Sequence, residues 1–111
     1  MIIDFTKIEE TANPNFKGGE KEYNVRTHLD DNNRIMKGRL VPGASIGYHK
    51  HEGSSEIIFI LSGQGKVLYD GGEERVQAGN CHYCPEGHSH SLINDSENEL
   101  VFYAVVPQHG G

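Results

Sequence analysis

His49, His51 and Glu56 stand close together in the segment Gly43-Ala-Ser-Ile-Gly-Tyr-His-Lys-His-Glu-Gly-Ser-Ser-Glu56. The histidines are two positions apart, so on an extended strand both imidazoles project from one face. Glu52-Gly53-Ser54-Ser55 reads as a short polar turn, after which Glu56 opens an apolar run and brings a carboxylate beside the two rings. Farther on, Pro85-Glu86-Gly87 is a turn signal followed by His90 at the start of another strand, and a third imidazole joins the others if the strands converge. Three neutral imidazoles and one carboxylate suit a borderline or hard divalent ion, with manganese, iron, nickel, zinc and copper all admitted. On an octahedral ion such a set leaves two positions for water or a ligand, whereas a closed structural zinc site leaves none.

Other residues compete for attention. Cys81-His82-Tyr83-Cys84 has the C-x-x-C spacing of redox and zinc motifs, but that chemistry needs a turn or helix start to bring the sulfurs together. Here the context is strand-like, where side chains three apart face opposite ways, and both cysteines are expected as buried small hydrophobes. His82 and His88 are candidates for contacts to the ligands or for carrying protons, against the commoner role of surface or packed histidines. Tyr48, Tyr83 and Tyr103 are expected in the core, as strand aromatics usually are. Glu52 is a candidate acid or base set against a solvated loop carboxylate. His28 and His109 have no such context and are expected in solvent.

The elements that must hold these groups are strands. Apolar residues recur at every second position in short runs cut by Gly, Asn, Asp and Pro. Tyr23, Val25 and Thr27 alternate with polar neighbours, as do Met36, Gly38 and Leu40, with Asn32-Asn33 as the turn between them. Residues 56 to 61, Glu-Ile-Ile-Phe-Ile-Leu, read as a central strand covered on both faces. Asp70-Gly71-Gly72 links strands at 66–69 and 75–77 as a hairpin. The run 100–106 is rich in β-branched and aromatic residues and stops at Pro107. Residues 6–10 offer at most a helical turn, and His109-Gly110-Gly111 reads as a frayed tail. The expected class is all-β, a sandwich or barrel whose closure disposes of sheet edges.

Gly43, His49, His51, Glu56 and Gly63 reproduce, at residues 43–63, the first motif of the cupins: Gly, five residues, His-x-His, four residues, Glu, six residues, Gly. Gly79, Pro85, Gly87, His90 and Asn94 match the second motif at 79–94. Ten residues at fixed spacing, each of a type with a background frequency of about 5%, are very unlikely to coincide by chance. The chain therefore resembles a small single-domain member of the conserved-barrel cupins, a group often labelled oxalate decarboxylase-like. The resemblance covers roughly residues 35–106, with 15 residues between the motifs. It implies a double-stranded β-helix, or jelly-roll barrel, formed by residues 1–111 as one domain. It implies His49, His51, Glu56 and His90 as ligands of one divalent transition metal ion inside the mouth, and often a homodimer formed through the sheets. Asn80 departs from the aspartate many members carry after the motif glycine.

Composition narrows the partners. With 16 acidic and 10 basic residues the formal net charge is -6, and no cluster of Lys and Arg could neutralise a run of phosphates, which argues against nucleic acid. No window approaches the ~20 apolar residues of a membrane span, so a soluble, cytoplasmic protein is expected. Two functional readings follow. One is a metalloenzyme acting on a small oxygen-rich molecule by dioxygenase, decarboxylase or isomerase chemistry. The other is a barrel that binds or senses a small ligand without turning it over. A homodimer is expected in either case, with Met1–Phe5 apolar enough to add a strand to a neighbour's sheet.

Overall fold

The computed structural model describes residues 1–109. Ten strands make two antiparallel sheets: β1 (Thr11–Pro14), β2 (Glu22–Leu29), β3 (Asn33–Leu40), β4 (His49–Lys50), β5 (Glu56–Ser62), β6 (Gln64–Tyr69), β7 (Gly72–Gln77), β8 (Cys81–Cys84), β9 (Ser89–Ile93) and β10 (Leu100–Pro107). One sheet has the order β1-β2-β3-β10-β5-β8 and the other β4-β9-β6-β7. This is the expected all-β jelly roll, but as two facing sheets with their own edges instead of one continuous closed sheet. Residues 6–10 contribute less than a helical turn: Phe5–Lys7 is a 3-10 turn capped by Asp4, whose side chain accepts from the Thr6 amide. No described helix is long and apolar enough to cross a membrane.

The core fills the space between the sheets. Leu40, Ile58, Val67, Leu92, Leu100 and Phe102 are all but inaccessible to water, and each large apolar side chain so buried is worth about 1.5–3 kcal/mol over its exposed state. Phe102 lies at the centre, stacked on Tyr23 with ring centroids 5.8 Å apart. Gly38 makes that stack fit, since a Cβ there would lie 2.6 Å from the Tyr23 ring and 2.8 Å from the Phe102 ring. Burial keeps the Tyr23 phenol far above its usual range, so it is an uncharged hydroxyl, and it donates to Met36 Sδ at 3.7 Å.

Several expectations about burial are corrected. β5 is covered on its inner face only: Glu56, Ile58 and Ile60 are buried, whereas Phe59 is 46% and Leu61 41% exposed. Tyr83 and Tyr103 are exposed because strand alternation points them outward, and Tyr48, just before β4, is exposed as well. Cys84 is buried and Cys81 exposed, so the two thiols do face opposite ways but only one is a buried hydrophobe. Burial pushes Cys84 up to about 11, which makes it inert. Within the chain Met1–Asp4 forms no strand, and Thr11–Pro14 makes one edge of the larger sheet. His109 is pinned, its amide donating to the Gly53 carbonyl at 2.8 Å; Gly110 and Gly111 lie outside the described residues. Asn80, at the position of the family's aspartate, accepts from the Gln77 amide at 2.8 Å, so the turn contact is kept.

Candidate metal centre

Pairing between strands brings the four candidate ligands together. His49 in β4 is the direct cross-strand partner of His90 in β9. His51 follows β4 and is held by two backbone bonds, its amide to the His88 carbonyl and its carbonyl to the Gly87 amide. Glu56 arrives from the other sheet at the start of β5. The approach of the segment before β4 depends on Gly47, where a Cβ would sit 1.8 Å from the Lys17 carbonyl oxygen. Gly43, Gly63, Gly79 and Gly87 all take positive φ, as their motif role as turn formers requires.

His49, His51 and His90 each point Nε2 at a common centre. Nε2 of His51 lies 3.2 Å from that of His49 and 3.0 Å from that of His90. Oε1 of Glu56 lies 3.2 Å from Nε2 of His51 and 2.9 Å from that of His90. All four donor atoms fall within 4.8 Å of one another. Neighbouring donors on an ion with bonds of about 2.1 Å are separated by about 3.0 Å at right angles, so the set fits a divalent transition ion.

The opposite nitrogens explain this aim. Nδ1 of His49 donates to the Gly47 carbonyl at 2.7 Å, and a carbonyl can only accept, so the lone pair of His49 is on Nε2. Nδ1 of His51 lies 3.0 Å from Ser54 Oγ, and Nδ1 of His90 lies 2.9 Å from Nε2 of His82. In the Nδ1–H tautomer three lone pairs and a carboxylate oxygen face one point, which suits a cation, whereas without one, protons on Nε2 of His51 and His90 bridge to Glu56. Burial lowers the pKa of His49, which keeps it neutral and able to ligate. Burial also opposes ionisation of Glu56, but its hydrogen bonds with His51 and His90 outweigh that and bring it down to about 2. The carboxylate is therefore charged, and the set can hold one divalent ion.

Among the other candidates, His82 touches a ligand ring, and burial pushes it down to about 4. His88 does not reach the centre; its Nδ1 bonds Asp70 and lies 3.3 Å from Tyr69 Oη. Glu52 is an exposed partner of Lys50, 3.5 Å away. His28 is half-buried near Asp30. The centre opens into a cavity of about 290 Å³ whose wall includes Phe16, Ile46, Met36 and Val106, with Lys17, Arg34 and Lys50 as cations. Sequence reasoning missed Arg34, which shares the inward parity of Met36, Gly38 and Leu40 at the open end of β3. It also missed Gly47 and Ser54 as holders of the rings.

The family model for the cupin domain matches residues 36–106. The chain is 34% identical to an oxalate-binding protein of Thermotoga maritima over 113 aligned positions, covering 96% of this chain and 93% of that protein. The crystal structure of a predicted oxalate decarboxylase from Thermotoga maritima superposes with a TM-score of 0.91 at 32% identity, over 97% of this chain and 99% of that one. The polyketide cyclase RemF from Streptomyces resistomycificus shares the fold at a TM-score of 0.78 and 22% identity, over 96% of this chain and 78% of the other.

Proposed function

Because the chain belongs to the cupin domain family, we propose that it binds one divalent transition ion through His49, His51, Glu56 and His90 and presents it to a small oxygen-rich molecule. The observation that carries this reading is the convergence of three Nε2 atoms and one carboxylate oxygen on a single point, with every Nδ1 engaged from behind. A bound ion would polarise a carbonyl or carboxylate, or lower the pKa of a coordinated water. The chain supplies the rest. Phe16, Met36, Ile46 and Val106 form the apolar part of the cavity wall, and Lys17, Arg34 and Lys50, the last paired with Glu52, add positive charge to it. That charge favours an anion, and a small carboxylic acid such as oxalate, which the Thermotoga maritima relative is named for binding, is the first ligand to test.

Two kinds of protein remain to be separated, a metalloenzyme of dioxygenase, decarboxylase or isomerase type and a non-catalytic binding or sensing barrel. The second is favoured by Glu52, the only carboxylate of the cavity wall besides Glu56, because it is exposed and paired with Lys50 and so is poorly placed to deliver a proton. The experiment is metal analysis of protein purified without chelator or histidine tag, beside His51→Ala, followed by oxalate titration. One ion per chain, lost in the variant, is expected; a native chain that neither carries nor takes up metal would sink the reading. Saturable stabilisation of about 2.7 kcal/mol at a hundredfold excess over Kd, without carbon dioxide release, marks a binder. Turnover marks an enzyme.

Residues 1–111 are read as one cupin unit, supported by β1 and β2, which lie outside the matched segment yet extend the sheet through β3. A homodimer is part of the same proposal. Its support is the exposed apolar face of the larger sheet, where Phe59 is paired with Tyr103 and Ile57 with Tyr83. A scattering mass of one chain, 12.3 kDa, at micromolar concentration would count against it.

A further inference from the structure

The three imidazoles that converge on the centre are held from behind by three different groups. A backbone carbonyl holds His49 and a serine hydroxyl holds His51, whereas His90 is held by another imidazole, that of His82. His90 is 2% exposed and His82 8%, so water does not compete for the bond between them. His82 comes from β8, in the larger sheet, and His90 from β9, in the smaller one, so the contact bridges the sheets. The rings are inclined by 28° with centroids 5.1 Å apart, and Tyr69 packs edge-on against His82 at 5.6 Å, which fixes the His82 plane.

We propose that His82 is a positioning residue for metal binding: its Nε2 accepts the Nδ1 proton of His90, which locks His90 in the tautomer that leaves Nε2 free for the ion. This rests on the reading of His49, His51, Glu56 and His90 as metal ligands. The argument is one of donors and acceptors. An imidazole bound to metal through Nε2 carries its proton on Nδ1 and needs an acceptor there. His82 Nε2, at 2.9 Å, is the acceptor His90 meets. His82 must then carry its own proton on Nδ1. That atom belongs to a side chain lining a separate cleft with Glu74, Arg75, Asn80 and Cys81, which shares no residue with the cavity over the metal centre. A neutral acceptor so placed raises the basicity of His90 without adding charge to the centre, where a carboxylate acceptor would add a second negative charge beside Glu56.

The test uses zinc as the probe and the whole chain. His82→Leu removes the acceptor, whereas His82→Gln can place an amide oxygen near the position of Nε2. Zinc affinity, by chelator competition, should fall on the order of 10- to 100-fold in His82→Leu and return to within a few fold of native in His82→Gln. The metal-free melting temperature is expected to fall in His82→Leu, since a buried donor loses its partner, but the rise in melting temperature on adding zinc should also shrink in His82→Leu and return in His82→Gln, which a merely structural role would not produce. Native affinity in His82→Leu, or equal losses in both variants, overturns the proposal. Long-range proton–nitrogen correlation on the native zinc-loaded chain is independent of any variant's folding. It should find the protons of His82 and His90 both on Nδ1; a proton on His82 Nε2 overturns the assignment. A native chain that takes up no zinc removes the metal reading itself, whereas failure confined to the His82 results leaves that reading standing.

Discussion

Asn94 is fully buried, and every polar atom of its side chain has a partner. Its amide nitrogen donates to the carbonyls of Leu40 at 2.9 Å and Asn98 at 2.8 Å, while its oxygen accepts from the Ser96 amide and hydroxyl. Asn94→Ala would orphan the buried Leu40 carbonyl and empty a buried polar site, and a loss of about 1–3 kcal/mol in urea unfolding is expected; a loss under 0.5 kcal/mol, the range of surface changes, would contradict this account. Zinc affinity should change little, since Asn94 touches none of the four ligands. Its motif position was legible in the sequence but its bonds were not. The same division runs through the site. His49, His51, Glu56 and His90 could be read because residue type and the two-residue period of a strand carry the information. The Gly47 carbonyl could not, because a backbone oxygen has no letter of its own. His82 was one of two undistinguished histidines until the pairing of β5 with β8 put it behind His90.

At the scale of elements, the alternation of β2, β3 and β10 was visible in the sequence, whereas β5 misled. A strand with apolar residues on both faces reads as covered on both, yet burial of the outer face depends on what lies against the sheet. The N-terminal stretch was also opaque, because it is placed by long-range contacts. Arg39 of β3 pairs with Glu10 at 2.7 Å and with Glu99, and Phe5 stacks on Tyr103. The bond with Arg39 holds Glu10 below the ordinary carboxylate value of 4.5, against the smaller opposing effect of burial. The folded chain therefore protonates Glu10 less readily than the unfolded one, so this contribution is complete above pH 4.5 and fades as the pH falls below it. Glu10→Gln should lower stability by less than ~1 kcal/mol at pH 6, because the pair is partly exposed. The gap from native should narrow as the pH falls below 4.5 in urea titrations; a gap that holds or widens on acidification would show that the ion pair is not its source.

For the whole molecule, the outward aromatic face and the interior cavity lie on opposite sides of one sheet. A specific dimer needs about 800 Å² from each partner, and Phe59, Leu61, Tyr83 and Tyr103 give that area an apolar centre. Phe59→Lys should yield a monomer by light scattering while zinc affinity persists, because Phe59 points away from Glu56 and Ile58; a variant that remains dimeric would move the interface elsewhere. β10 has a different consequence. It lies between β3 and β5, with Leu100, Phe102 and Ala104 wholly buried, and it follows His90 in the chain. During synthesis all four ligands thus leave the ribosome before the strand that joins the sheet of Glu56 to β3. The nascent segment has the donor atoms without the cavity that fixes their spacing. Metal choice therefore belongs to the finished chain, and is made from whatever ions surround it where folding is completed.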